Sequence, residues 1–144
     1  MIHSNHPPIS EISPRETFQA LNEDPAARLV DVRTKAEWAY VGLPDVSTTP
    51  SGEPLLIEWQ GFPTMAVADD FGQALQSVCP DPSTALYFIC RSGARSLAAA
   101  RLMCALGYEN CFNVSDGFEG PPDAEGHRGN VAGWKASGLP WRQT

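Results

Sequence analysis

The strand-like run Ala85–Ile89 passes directly into Cys90-Arg91-Ser92-Gly93-Ala94-Arg95-Ser96 and then into an alanine-rich, helix-patterned stretch. A buried strand that turns at once into a helix belongs to alternating α/β architecture, so this segment restricts the fold more than any other. It also restricts where chemistry can sit. The first N–H groups of a helix have no intrahelical partner, and the positive end of the helix dipole favours an anion there. At such a turn Cys90 is expected to favour thiolate over thiol. Between Asp81 and Glu109 the chain carries no carboxylate, whereas Arg91, Arg95 and Arg101 form a basic island.

The rest of the chain repeats the alternation. Ser13-Pro14-Arg15-Glu16 joins an N-cap serine, a proline at the first helical position and a glutamate three residues after the cap, which predicts a short helix with Phe18 and Leu21 on one face. Arg28–Val32 reads as a buried strand, and Thr34-Lys35-Ala36-Glu37 as a second capping box opening a helix that carries Trp38. Asp69 is the expected cap of a third helix whose Phe71, Leu75 and Val78 make a core stripe before Pro80-Asp81-Pro82 breaks it. After the cysteine turn, Ala98, Leu102 and Leu106 are expected to line one helix face. Gly107 supplies a left-handed stop, and Cys111–Val114 a further strand. Val41–Ala68, with Leu55–Trp59 as its strand-like segment, and Ser115–Gly133 read mainly as loop. The expected fold is α/β, a central and mainly parallel sheet flanked by helices on both faces, with the ligand site beyond the carboxyl ends of the strands, where Cys90 falls.

A chain of 144 residues with 42% apolar content fits a single domain over residues 1–144, of which 1–9 read as a flexible tail. The formal charge of −7 argues against a broad phosphate-binding surface, so no nucleic-acid partner is expected and any anion site must be local. The four cysteines, Cys79, Cys90, Cys104 and Cys111, form no C-x-x-C pair, and the N-terminus lacks the layout of a secretory signal. The expected location is therefore the cytoplasm. No apolar run approaches the roughly 18 residues of a membrane span. His3, His6 and His127 lack metal-ligand spacing, so neither a metal nor another cofactor is expected.

Asp31-Val32-Arg33 with Glu37-Trp38, then Cys90-Arg91-Ser92-Gly93-Ala94-Arg95-Ser96, then Gly133-Trp134-Lys135-Ala136-Ser137-Gly138-Leu139-Pro140 together resemble the rhodanese-like family in its single-domain form, over roughly residues 10 to 142. The cysteine loop is the most specific of these elements. The resemblance implies a parallel-sheet α/β fold and a sulfurtransferase whose loop cysteine carries sulfane sulfur as a persulfide between donor and acceptor. It makes Cys90 the nucleophile, gives the N–H groups of residues 91 to 96 the task of cradling the persulfide, and lets Arg91 and Arg95 guide an anionic donor such as thiosulfate. Ser96 matches a loop-closing position that can hydrogen-bond the sulfur or the loop. The implied partners are small sulfur-containing anions, with a thiol protein as one possible acceptor. The chain departs from the family at Gly42-Leu43-Pro44-Asp45-Val46, where many members carry glycine-histidine-isoleucine, and in the long segment Asp116–Gly129.

Each residue also has a plainer reading. Cys90 could be a small hydrophobe ending a buried strand, but the flanking Arg-Ser-Gly-x-Arg-Ser favours chemistry. Arg91 and Arg95 could be solvated, or Arg95 could pair with Glu109 or another carboxylate; anion binding is the preferred reading. Asp31, Arg33 and Glu37 are expected to be structural, with an Arg33–Glu37 ion pair holding the turn. Cys79, Cys104 and Cys111 read as packing residues, with the alternative that a second thiol near Cys90 resolves its oxidised or persulfide form, and Trp59, Trp134 and Trp141 likewise read as packing residues. Asp116, Glu119, His127 and Arg128 follow a strand and can border the pocket, although a solvated loop is the preferred reading for each alone. Two other functions compete. A persulfide carrier or regulatory binding module would use the same cysteine with little turnover. A thiol phosphatase or arsenate reductase also sets a cysteine in an anion-binding turn, but its signature arginine would fall where this chain has Ser96, with Arg95 one residue earlier.

Overall fold

The structure, a computed structural model, describes residues 9–143 apart from 62, 63 and 65. All but Ile9 of the tail expected over residues 1–9 therefore lies outside the described residues. The elements in chain order are β1 (Ser10–Ile12), α1 (Pro14–Glu23), β2 (Arg28–Asp31), α2 (Lys35–Tyr40), β3 (Leu43–Pro44), β4 (Leu55–Leu56), β5 (Gln60–Gly61), β6 (Ala66–Val67), α3 (Phe71–Val78), β7 (Ala85–Ile89), α4 (Ala94–Ala105), β8 (Asn110–Val114) and β9 (Trp141–Arg142). A five-stranded sheet in the order β1-β8-β7-β2-β4 has every neighbouring pair parallel. Two antiparallel pairs, β3 with β9 and β5 with β6, lie outside it.

The alternation of side chains along β7 divides the core. Leu86 and Phe88 point to one face, where Phe71, Leu75, Ala99, Ala100 and Met103 of α3 and α4 cover them. Tyr87 and Ile89 point to the other, against Leu21 of α1 together with Phe118 and Trp134. Because both faces are covered, β7 reads as a continuous apolar run, as expected of a central parallel strand. Among the described residues no helix is long and apolar enough to cross a membrane.

Local chemistry sets the helix starts. Ser13 Oγ accepts from Glu16 N at 3.1 Å while Glu16 Oε1 accepts from Ser13 N at 3.3 Å, and Thr34 and Glu37 repeat the exchange at 3.3 and 3.1 Å. Such caps contribute about 1 kcal/mol each. Gly107 has φ +104°, the expected left-handed stop. Three expectations change. α3 is capped at Asp70 rather than Asp69, with no side-chain hydrogen bond, and Cys79 takes the buried position at its end while Val78 stays exposed. The buried stripe of α4 is Ser96, Ala99, Ala100 and Met103, not Ala98, Leu102 and Leu106: Ser96 is anchored at the cysteine turn, and the alanines let the helix lie close to the sheet. Of the expected Leu55–Trp59 strand only Leu55–Leu56 is a ladder. Past it, Ile57 N and Trp59 N still donate to Asp31 O and Val32 O at 3.1 Å each.

Candidate active site

β7 ends at Ile89, so Cys90 emerges at the carboxyl edge of the sheet, and the chain turns through Arg91-Ser92-Gly93 into α4. Gly93, the N-cap, has φ +116°, a conformation that L side chains rarely adopt. Cys90 is 1% exposed and is among the residues that line a cavity of about 530 Å³. Its Sγ accepts a hydrogen bond from Gly93 N at 3.1 Å and lies 3.2 Å from Ser96 Oγ.

Ser96 is fully buried and has one hydroxyl proton for several neighbours. Its Oγ also lies 2.5 Å from Asn113 Oδ1 and 3.2 Å from Gly93 O. Asn113 Nδ2 donates to both oxygens of Glu11, at 3.1 and 2.9 Å, and to Gly93 O at 3.1 Å, which fixes the amide with Oδ1 toward Ser96. The hydroxyl can therefore donate to Asn113 while accepting from the thiol, or rotate and donate to an anionic sulfur. Sequence reasoning missed Asn113 and Glu11. The one polar side chain inside the buried strand Cys111–Val114 was the available signal, since a buried polar group requires a partner.

Charge around the cavity is arranged by pairing. Arg95 makes a bidentate contact with Glu37, Nη1–Oε1 2.7 Å and Nη2–Oε2 3.0 Å, so the carboxylate it pairs with is Glu37 and not Glu109. Burial by itself would raise the Glu37 pKa. The Arg95 hydrogen bond, the Thr34 N–H and the charges of Arg95 and Arg33 outweigh it and hold the carboxyl at about 2. The expected Arg33–Glu37 ion pair is not formed. Arg33 instead turns back on Asp31, Nη2–Oδ2 2.7 Å, with both side chains fully buried, because residues two apart at the end of a strand share a face. Arg33 also donates to Gly42 O at 2.8 Å and stacks over the Phe118 ring at 4.4 Å, so it supports the floor beneath the cysteine loop. Arg91 and Ser92 are exposed at the rim, and Ala94 also lines the cavity.

The segment read as a surface loop contributes a wall. Phe118 N donates to Cys90 O at 2.8 Å, while Glu119 N and Gly120 N donate to Arg91 O at 3.0 and 3.1 Å, strapping residues 118–120 across the cysteine turn. Gly117 makes this approach possible: at φ +63°, a Cβ there would collide with the carbonyl oxygens of Cys90 and Arg91, the latter at 2.6 Å. Glu119 and Arg128 line the cavity, whereas Asp116 and His127 are exposed. Gln60, not foreseen, also lines it. The other thiols lie at the far end of the sheet. Cys111 is in register with Leu86, near the start of β7, and burial pushes its pKa up to about 12. Cys79 and Cys111 are buried and Cys104 half-buried, as packing residues should be.

Comparison with known proteins gives a consistent family. The model of the STR4 middle domain matches residues 10–144. The crystal structure of Rv0390 from M. tuberculosis aligns with a TM-score of 0.83 at 42% identity, covering 94% of this chain and 98% of that one. A Rickettsia rickettsii protein, the uncharacterized RP600 homolog, is 36% identical over 135 residues, which is 93% of this chain and 98% of its own length. The chloroplastic protein THYLAKOID RHODANESE-LIKE of Oryza sativa subsp. indica is 30% identical over 135 residues, covering 93% of this chain but 25% of that larger protein. With a mainly parallel sheet that sets a cysteine turn at its carboxyl edge, and a family match over nearly the whole length, the chain belongs to the rhodanese-like family.

Proposed function

We propose that the protein is a sulfurtransferase in which Cys90 carries sulfane sulfur as a persulfide. The observation that carries this reading is the set of donors at Cys90 Sγ, the Gly93 N–H at 3.1 Å and the Ser96 hydroxyl at 3.2 Å, at the wall of an open cavity. Both can hold a negative sulfur without a counter-ion in contact, and fixed donors need no reorganisation as charge moves onto the outer sulfur. In the first half-reaction the Cys90 thiolate attacks the outer sulfur of thiosulfate. The S–S bond of the donor breaks, and sulfite leaves with its electron pair. In the second, a thiophilic acceptor such as cyanide or a thiolate attacks the outer sulfur of the persulfide, and the Cys90 thiolate is restored. Arg91 and Arg128, neither of them ion-paired among the described residues, supply the positive charge that attracts an anionic donor.

The bidentate Glu37–Arg95 contact speaks against a phosphatase or arsenate reductase, because it takes up the arginine fork that would hold a tetrahedral oxyanion. A persulfide carrier shares the loaded state and differs only in turnover. Intact mass after exposure to thiosulfate, and steady-state transfer to cyanide, test the assignment. The expected result is a gain of one sulfur atom on Cys90 and its loss in Cys90→Ser. Unchanged transfer in Cys90→Ser overturns the sulfurtransferase assignment, and loading without turnover leaves a carrier.

A further inference from the structure

At the end of the sheet away from Cys90, two thiols share one cavity. Cys104 lies in the last turn of α4, and Cys111 is the second residue of β8. Between them Gly107 N donates to Cys104 O at 3.1 Å and Tyr108 N to Met103 O at 3.0 Å, a paired helix stop that sends the chain back along α4. Residues 104 and 111 stand evenly about that reversal. Both line a cavity of about 240 Å³ together with Ile9, Ser10, Glu109 and Phe112. Cys104 is half-buried and packs against the core cluster that contains Cys111, and both thiols are free. Cys111 Sγ has a weak contact, 3.9 Å to Tyr108 O, and burial together with the charge of Cys104 holds its proton in place at neutral pH. The chemistry assigned to Cys90 uses neither thiol.

The number and softness of these donors select the ligand. Among the described residues no third His, Cys, Asp or Glu joins the two thiols in a metal-binding group. Structural zinc takes four donors in a tetrahedron, and calcium or magnesium takes oxygen. Two sulfur donors in a largely apolar setting match a soft monovalent ion, of which copper(I) is the biological example. We propose that Cys104 and Cys111 form a binding site for a soft cation of the copper(I) class, held by two thiolates and separate from the cavity beside Cys90. Each thiol gives its proton to solvent as its sulfur bonds the metal, and the ion keeps its oxidation state. Binding therefore tightens as the pH rises. A buried thiol yields its proton only to a strongly thiophilic ion, so the burial that keeps Cys111 inert also excludes harder cations.

The test is anaerobic titration with copper(I) in competition with bicinchoninate, a chromophoric chelator, on the full chain carrying Cys90→Ser so that the loop thiol takes no part. The protein is expected to withdraw one equivalent of copper(I) from the chelator. Cys104→Ser and Cys111→Ser, each added to that background, should weaken retention at least about tenfold. Because Cys111 is in the core and its replacement can unfold the protein, Cys104 supplies a second measurement without further substitution. One equivalent of copper(I) should protect Cys104 from iodoacetamide, read by peptide mass, while the far-ultraviolet circular dichroism stays unchanged. Retention in Cys104→Ser equal to that of the background protein, or alkylation of Cys104 undiminished by the metal, overturns the inference. Zinc(II) held as tightly as copper(I) also overturns it, since that requires donors beyond these two. Neither result depends on whether Cys90 carries sulfur.

Discussion

Glu37 ties the second helix to the cysteine loop, and replacing it with glutamine isolates that tie. Its Oε1 accepts from Thr34 N and Thr34 Oγ1, each at 3.1 Å, and both oxygens accept from Arg95. Glutamine keeps one acceptor for the cap but turns an NH₂ toward the guanidinium and removes the charge. The carboxyl pKa falls from an ordinary 4.5 to about 2 in the folded protein. At about 1.4 kcal/mol for each pKa unit, that drop corresponds to about 3 kcal/mol of stability. The paired side chains keep 19% and 20% exposure, so screening lowers the expectation to about 2 kcal/mol. Because the folded pKa lies below the unfolded one, the contribution is complete above pH 4.5 and is lost as the pH falls toward about 2. Urea unfolding of wild type and Glu37→Gln across this range gives the difference directly, and carboxylates common to both cancel. The expected difference is about 2 kcal/mol at pH 7 and shrinks steadily below pH 4.5. A difference that stays constant with pH would refute the linkage, and one below about 0.5 kcal/mol would show the pair to be no stronger than an exposed one.

Two further substitutions test the geometry of the loop. Gly117→Ala puts a Cβ against the carbonyls of Cys90 and Arg91, whereas Gly126→Ala, also at positive φ, meets nothing within 4 Å. The second should cost about 1 kcal/mol, for the left-handed backbone alone, and the first about 2–4 kcal/mol together with slower sulfur loading. Equal unfolding midpoints for the two would show that the strap is not a close contact. Ser96→Ala removes the hydroxyl 3.2 Å from Cys90 Sγ and leaves Asn113 Oδ1 without that donor. Alkylation of Cys90 by iodoacetamide and loading from thiosulfate should both slow about tenfold, and unchanged rates would take Ser96 out of the chemistry.

What the sequence made legible was local. The capping boxes at Ser13 and Thr34 act over three residues, and the Cys90 turn is contiguous with the strand and helix that aim it, so pattern alone located them. Pairing across the fold was not legible. Arg33 and Glu37 stand four apart and invited an ion pair, but Arg33 leaves the strand end on the same face as Asp31, and Glu37 is reached instead by Arg95, fifty-eight positions along. The glycines of residues 117–120 suggested solvent, yet Gly117 serves the opposite purpose, letting one backbone lie against another. The consequence for function is electrostatic. The chain carries a formal charge of −7, but Asp31 and Glu37 are occupied by Arg33 and Arg95, and the cavity beside Cys90 is left with Arg91 and Arg128 against Glu119. Net charge therefore gives the wrong sign for the site. The sign that an incoming anion meets is decided by which carboxylates are already paired, and that depends on contacts between segments no sequence window contains.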